Sequence, residues 1–579
     1  MSHRRSALLA ALALTLPLAA CVSPPGPAAM LNGTEIVSPP KTAEADAYGN
    51  YLSAHLAVST HDLRDAAKYY RASLDSDPDN ADLLSHAFLY MAASGGIGEA
   101  AKLAERVVVK NHDDRAARLT LTVESIKERD FGGARMQIAQ SARGPFTSLT
   151  LTLLDAWAAY GMGKTDVALN DLKELPGQGG TEALAHYHAA LMFDLAGRDA
   201  EADAAYRAAI LASGPSPREV EAYGRFLERT GKAEAAKTFY KQMSGRESLA
   251  AIAAAGEARI KAGEKPERLI RNVEDGAAEA LFGIAASLTE VTSADIAILY
   301  LRLGLYLSPD LDLAKLVLAD RFETLEKYQD AIAVYATIAP DSPYRTASSI
   351  QAAVDKTRLK QADAAIADLK AITGADVRDV TAWTALGDAY RSVERYSDAA
   401  DAYDHAVKAV GAAEKRDWPL FYARAISEER ARNWNAAETD LKFALKLAPD
   451  QPQILNYLGY SWVDRHRNLP EALAMLEKAR ALSPFDGYIV DSVGWAYYRL
   501  GRYKDAAEAL EQAVLLVPGD STINDHLGDA YWKVGRKLEA HFQWNHALTF
   551  EPDAGEKKMI EDKLKFGLNS GQGSEGPRH

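Results

Sequence analysis

Apolar and small residues recur along most of this chain at spacings of three and four, the period of one helix face. The sharpest run is Trp383-x2-Leu386-Gly387-x2-Tyr390, followed after a short polar break by Ala399-x3-Tyr403-x2-Ala406. This pattern predicts two helices joined by a turn. Gly387 lets the second helix approach closely, Ala399 is the small residue where the helices cross, and the rings of Trp383, Tyr390 and Tyr403 fill the space around it. The crossing alanine then serves as a ruler. It falls at Ala66, Ala100, Ala134, Ala168, Ala202 and Ala236, and again at Ala297, Ala331, Ala365 and Ala399, in steps of 34. Ala437, Ala472, Ala506 and Ala540 follow at steps of 38, 35, 34 and 34. Prolines stand twelve residues past the anchor at Pro78, Pro309, Pro449, Pro484, Pro518 and Pro552, where each would stop a second helix. Chance does not hold such a register through 14 anchors.

The unit resembles the tetratricopeptide repeat, a 34-residue helix–turn–helix, over about residues 47–557. The resemblance implies an all-α, right-handed α-solenoid of about 14 repeats plus one degenerate unit. The step from Ala236 to Ala297 is 61 residues, with Ile270 where an anchor was due. Pro266 is expected to open a helix after Gly263. The sequence therefore divides into an N-terminal arm at 46–243, a seam at 244–280 and a C-terminal arm at 281–568. A glycine- and serine-containing tail follows at 569–579.

The N-terminus breaks the pattern. His3, Arg4 and Arg5 precede an apolar run from Ala7 to Leu18, the layout of a signal peptide over 1–20. The run closes on Leu18-Ala19-Ala20-Cys21, which resembles the bacterial lipobox, and Cys21 is the single cysteine of the 579 residues. The resemblance implies lipidation at Cys21. Val22 stands where an inner-membrane lipoprotein often has aspartate, which points to the outer membrane, facing the periplasm. Residues 21–45 carry five prolines and read as an extended tether. The formal net charge is −14, which argues against a nucleic-acid partner.

In such arrays the first helix of each pair lines an inner wall, so residues at one phase of the repeat stack about one repeat apart. Counting back from the last three anchors gives Asn456, Asp491 and Asp525, then Tyr460, Trp495 and Asp529, then Tyr498 and Trp532. Tyr457, Tyr488, Arg499, His526 and Lys533 are expected on the same face. Polar groups and aromatic rings in that arrangement suit capture of another protein. Trp383, Trp462, Tyr390, Tyr497 and Tyr531 fall at packing phases and are assigned to the core. Seven of the eight tryptophans lie after residue 380. Asp491 and Asp525 have the wrong sign to clamp a chain-terminal carboxylate.

Catalytic chemistry finds no support. Gly163-Lys164-Thr165 lacks the earlier glycine of a phosphate loop, since Ala158 stands there, and it falls between paired helices. His186-x-His188 and His541-x4-His546 have the wrong spacing for a same-face metal pair. No Gly-x-Ser-x-Gly elbow occurs. No metal, cofactor or small-molecule substrate is implied.

Asn456-Tyr457-Leu458-Gly459-Tyr460-Ser461, Asp491-Ser492-Val493-Gly494-Trp495, His526-Leu527-Gly528-Asp529 and Trp544 are similar to a family of long bacterial tetratricopeptide lipoproteins. Some members are adaptors that bind a periplasmic carboxyl-terminal-processing protease and bring it cell-wall hydrolases. The resemblance implies a non-enzymatic adaptor of that kind. Its competitor is a scaffold for secretion, pilus or polysaccharide-export machinery.

Overall fold

The computed structural model describes residues 43–175 and 180–568. The signal sequence, Cys21, all but the end of the tether and the 569–579 tail lie outside the described residues. The first helix, Ala43–Ser59, begins inside the last positions given to the tether. Thirty α-helices and no strand occur among the described residues, and none of these helices is long and apolar enough to cross a membrane.

The alanine ruler describes the packing. All 14 anchors, from Ala66 to Ala540, are fully buried at 0% exposure. A Cβ placed on Gly387 would lie 2.5 Å from the Tyr403 ring, so the two helices of that unit meet at a distance only glycine allows. Asn80, Asp379, Asp486 and Asp520 cap first helices by accepting backbone N–H bonds that the helix itself leaves unmade. The turn between paired helices places the residue five before the anchor in the left-handed region, as at Arg129 (φ 63°), Glu394 (φ 59°) and Gly501 (φ 77°). Gly163 (φ 75°) sits in one of these turns, so Gly163-Lys164-Thr165 is turn chemistry.

First helices of successive units stand side by side and build a wall. Ala81–Ser94 packs on Arg115–Lys127, and that on Pro145–Gly161. Likewise Pro452–Asp464 packs on Gly487–Arg499, and that on Ser521–Lys533.

The seam departs from expectation. Pro266 opens no helix: after Glu247–Ala262 the chain is irregular until Asn272, whose side chain caps Val273–Ser287. Proline removes a donor but does not by itself create a helix, and the next capping residue starts it instead. Val273–Ser287 and Ala294–Leu307 then form a hairpin that lies across the N-terminal wall. The first helix packs on Arg115–Lys127, Pro145–Gly161 and Gly180–Leu195; the second packs on Ala81–Ser94 and Arg115–Lys127. One apolar core consequently runs from Ala54 to Ile338, straight through the expected seam, with Ile270 buried in it. Separate clusters begin at Ile350 and at Phe421. The change of core falls between residues 338 and 350.

Of the rings assigned to the core, Trp462, Tyr390, Tyr497 and Tyr531 are buried. Trp383 is half-exposed: its ring stacks on His405 at 4.3 Å and its indole N–H donates to the Val377 carbonyl, near the surface.

Candidate protein-binding wall

The two ends of the molecule present the same wall in different states. On the N-terminal wall, Leu119, Val123, Ile126, Trp157, Tyr187 and Leu191 are all buried, each at less than a tenth exposure. The inner hairpin meets Trp157 and Tyr187 directly. Its Glu279 accepts hydrogen bonds from Arg218 at 2.8 and 3.0 Å and from the Tyr187 hydroxyl at 3.0 Å. Glu274 accepts from Arg129 at 2.7 Å. Gly276 lies so close to Trp157 that a Cβ there would approach the ring to 2.4 Å. Burial holds His188 neutral, with its pKa lowered to about 3, and its Nδ1 accepts the Trp157 indole N–H at 3.0 Å. His186, in contrast, is half-exposed beside Glu182, so the two histidines do not share a site.

On the C-terminal wall the predicted residues split into two layers. Tyr488 is exposed, Lys533 is exposed, and Asn456, Tyr457, Tyr460, Tyr498, Arg499 and Trp532 are half-buried. Tyr457 meets Tyr422 edge-on at 5.8 Å, and burial raises the pKa of its hydroxyl above the usual phenol value. These residues form the accessible layer.

Asp491, Trp495, Asp525, His526 and Asp529 form the second layer, and all are buried. The expectation that they meet a guest is corrected by what they touch. His526 Nδ1 sits 2.9 and 3.1 Å from the Asp491 carboxylate oxygens. Trp495 stacks on His526 at 4.0 Å and on Tyr498 at 4.8 Å. Lys563, on the closing helix Ala554–Phe566, donates to Asp525 at 2.7 and 2.8 Å and to Asp529 at 2.8 Å. The Trp544 indole also donates to Asp529, at 3.0 Å. Neighbouring first helices stand so near one another that a group at this phase reaches the next repeat before it reaches solvent. Arg465 to Glu429 at 2.6 Å and Arg499 to Asp464 at 3.6 Å continue the same ladder.

Sequence reasoning missed Lys563, Tyr422 and two members, Arg430 and Arg465, of a row of bases that includes the expected Arg499 and Lys533. Seven residues before the anchor stand Arg430, Arg465, Arg499 and Lys533 in successive repeats, a signal visible from the ruler alone. Among the described residues no group of three His, Cys, Asp or Glu side chains is placed to hold a metal ion.

Comparison with known proteins identifies the repeat in part of the array. Residues 351–414, 422–487 and 491–520 match models of the tetratricopeptide repeat. Over these three stretches the array consists of tetratricopeptide repeats. A TPR repeat-containing protein of Pseudomonas aeruginosa, PA4667, is 39% identical over 90 residues, which span 16% of this chain and only 15% of that protein. Among solved structures, the APC/C hetero-tetramer Cut9–Hcn1 is similar at 15% identity, covering 90% of this chain and 96% of that one, with a TM-score of 0.37. MamA AMB-1 is similar at 21% identity over 29% of this chain and 97% of its own, with a TM-score of 0.26.

Proposed function

We propose that this protein is a non-enzymatic protein-binding scaffold whose C-terminal wall captures its partners. The observation that carries the reading is the contrast between the walls. The N-terminal wall is filled by the chain's own hairpin, while Tyr460, Tyr488, Tyr498, Arg430 and Lys533 stay accessible on the C-terminal wall. Aromatic rings supply contact area at small entropic cost, and basic groups fix orientation.

The finer reading is an outer-membrane lipoprotein, tethered through Cys21, that brings substrates such as cell-wall hydrolases to a periplasmic carboxyl-terminal-processing protease. Tethering raises local concentration, so modest affinities suffice. The sequence motifs of the last three repeats and the Leu18–Cys21 quartet support it. Cys21→Ala should move the protein from the membrane to the soluble fraction; retention in the membrane would refute the tether. Affinity capture from envelope extract on residues 46–579 separates the roles. Enrichment of a serine protease together with wall hydrolases supports the adaptor, whereas secretion or polymer-export components would replace it with the assembly scaffold.

A further inference from the structure

The two walls carry the same paired side chains at the same phases. Trp157 stands eleven residues before Ala168, and Trp495 stands eleven before Ala506. The histidine each tryptophan meets, His188 or His526, stands fourteen before the next anchor. Eight before the anchor is a tyrosine in both walls, Tyr160 or Tyr498. The difference lies in what covers the indole. On the N-terminal wall Tyr160 stands edge-on to Trp157, at 66°, and Gly276 of the hairpin lies against the ring. On the C-terminal wall Tyr498 lies flat over Trp495, at 7°.

The N-terminal guest also has a defined chemistry. Val273–Ser287 reads VEDGAAEALFGIAAS: both glycines, Gly276 and Gly283, face the wall, and the helix has three carboxylates and no base. Its polar contacts with the wall run through Glu274 and Glu279 to Arg129, Arg218 and Tyr187. A helix satisfies its own backbone, so it needs from a wall only side-chain contact and a fit of shape. On the C-terminal wall Glu429, Asp464, Asp491, Asp525 and Asp529 are each engaged in the ladder between repeats. The charges left exposed on it, Arg430 and Lys533, are basic.

We infer that the C-terminal wall takes an α-helical segment of its partner, small-residued on the contacting side and flanked by carboxylates, as the N-terminal wall takes Val273–Ser287. This rests on the reading of the C-terminal wall as the capture face. The guest lies along Tyr460 and Tyr498, its carboxylates toward Arg430 and Lys533.

The test uses the full chain, whose N-terminal wall is already filled, and a fluorescent peptide of residues 273–287 locked as a helix by a hydrocarbon staple. Anisotropy should report saturable binding. Replacing both peptide glutamates by lysine should weaken it at least tenfold, and a proline-broken peptide should not bind. The double variant Arg430→Ala, Lys533→Ala should weaken binding about five- to tenfold, the scale of two exposed ion pairs. Equal binding of the lysine or proline-broken peptide overturns the inference, as does an affinity indifferent to the double variant. A fluorescent extended peptide separates this failure from failure of the wall itself. If it binds and Tyr460→Ala abolishes that binding, the capture face stands and only the helical guest falls. If no peptide binds and Tyr460→Ala leaves capture from envelope extract intact, the capture face falls as well.

Discussion

Glu279 is the strongest single test of the filled N-terminal wall. Its carboxylate is 2% exposed and is held by Arg218 through both oxygens and by the Tyr187 hydroxyl. Glu279→Ala leaves the tyrosine without that acceptor and leaves Arg218 with Glu221, 3.0 Å away, as its remaining acid. Breaking a buried pair by removing one member costs about 3–5 kcal/mol. Because Glu221 still neutralises the guanidinium, the low end applies, about 3 kcal/mol. If that loss loosens the hairpin from the wall, amide exchange across residues 273–307 should accelerate about a hundredfold, at 1.4 kcal/mol per decade. Peptides from Ser521–Leu548 serve as the internal reference, since they share no contact with the hairpin. Glu279→Gln, which keeps an acceptor oxygen, should show a smaller effect. Unchanged exchange in the hairpin, or equal acceleration over the whole chain, would refute the account of how that wall is closed.

Three further outcomes follow from the same geometry. Trp495→Ala should lower unfolding free energy by about 3–5 kcal/mol, because the indole is buried, while Tyr488→Ala should change it by less than about 0.5 kcal/mol; urea denaturation distinguishes them. Arg432→Gly should stabilise the array by about 0.5–1 kcal/mol, since Arg432 holds φ at 67°, where a side chain is strained and glycine is not. Asp355 lies buried where the core changes, and burial, then Glu323, raise its pKa to about 7 against the pull of Arg358. A raised folded-state value means the stability it contributes is full below the ordinary carboxyl range and is lost as pH climbs through about 7. With the intrinsic pH dependence of amide exchange divided out, protection in Arg345–Arg358 should therefore be lower at pH 8 than at pH 5, and Asp355→Asn should flatten the difference.

The repeat was legible in sequence because its rule is local. An alanine at a helix crossing and an aromatic ring four residues on need only their own unit, and every anchor proved buried. The depth of the candidate site was not legible. Whether Asp491 faces a guest or His526 depends on how far apart neighbouring first helices stand, which no single repeat encodes. Pairing across about 35 residues, as in Arg499 with Asp464, is the signal that distinguishes the two, and it appears only when charges are compared between repeats. The filled wall was the hardest feature to see. It depends on superhelix curvature, yet Val273–Ser287 carries a trace of it: 12 of its 15 residues are buried, acids included, and no polar face remains for solvent. In this array the unit that follows the degenerate stretch is the guest on the chain's own wall.

The claim that one wall is filled and the other open is tested most directly by hydrogen-exchange footprinting of the full chain with its captured partner. The account predicts new protection in Trp418–Arg430, Pro452–Asp464 and Gly487–Arg499, with the N-terminal wall and the hairpin unchanged. Protection confined to Arg115–Lys127 and Pro145–Gly161, with the hairpin deprotected, would contradict it.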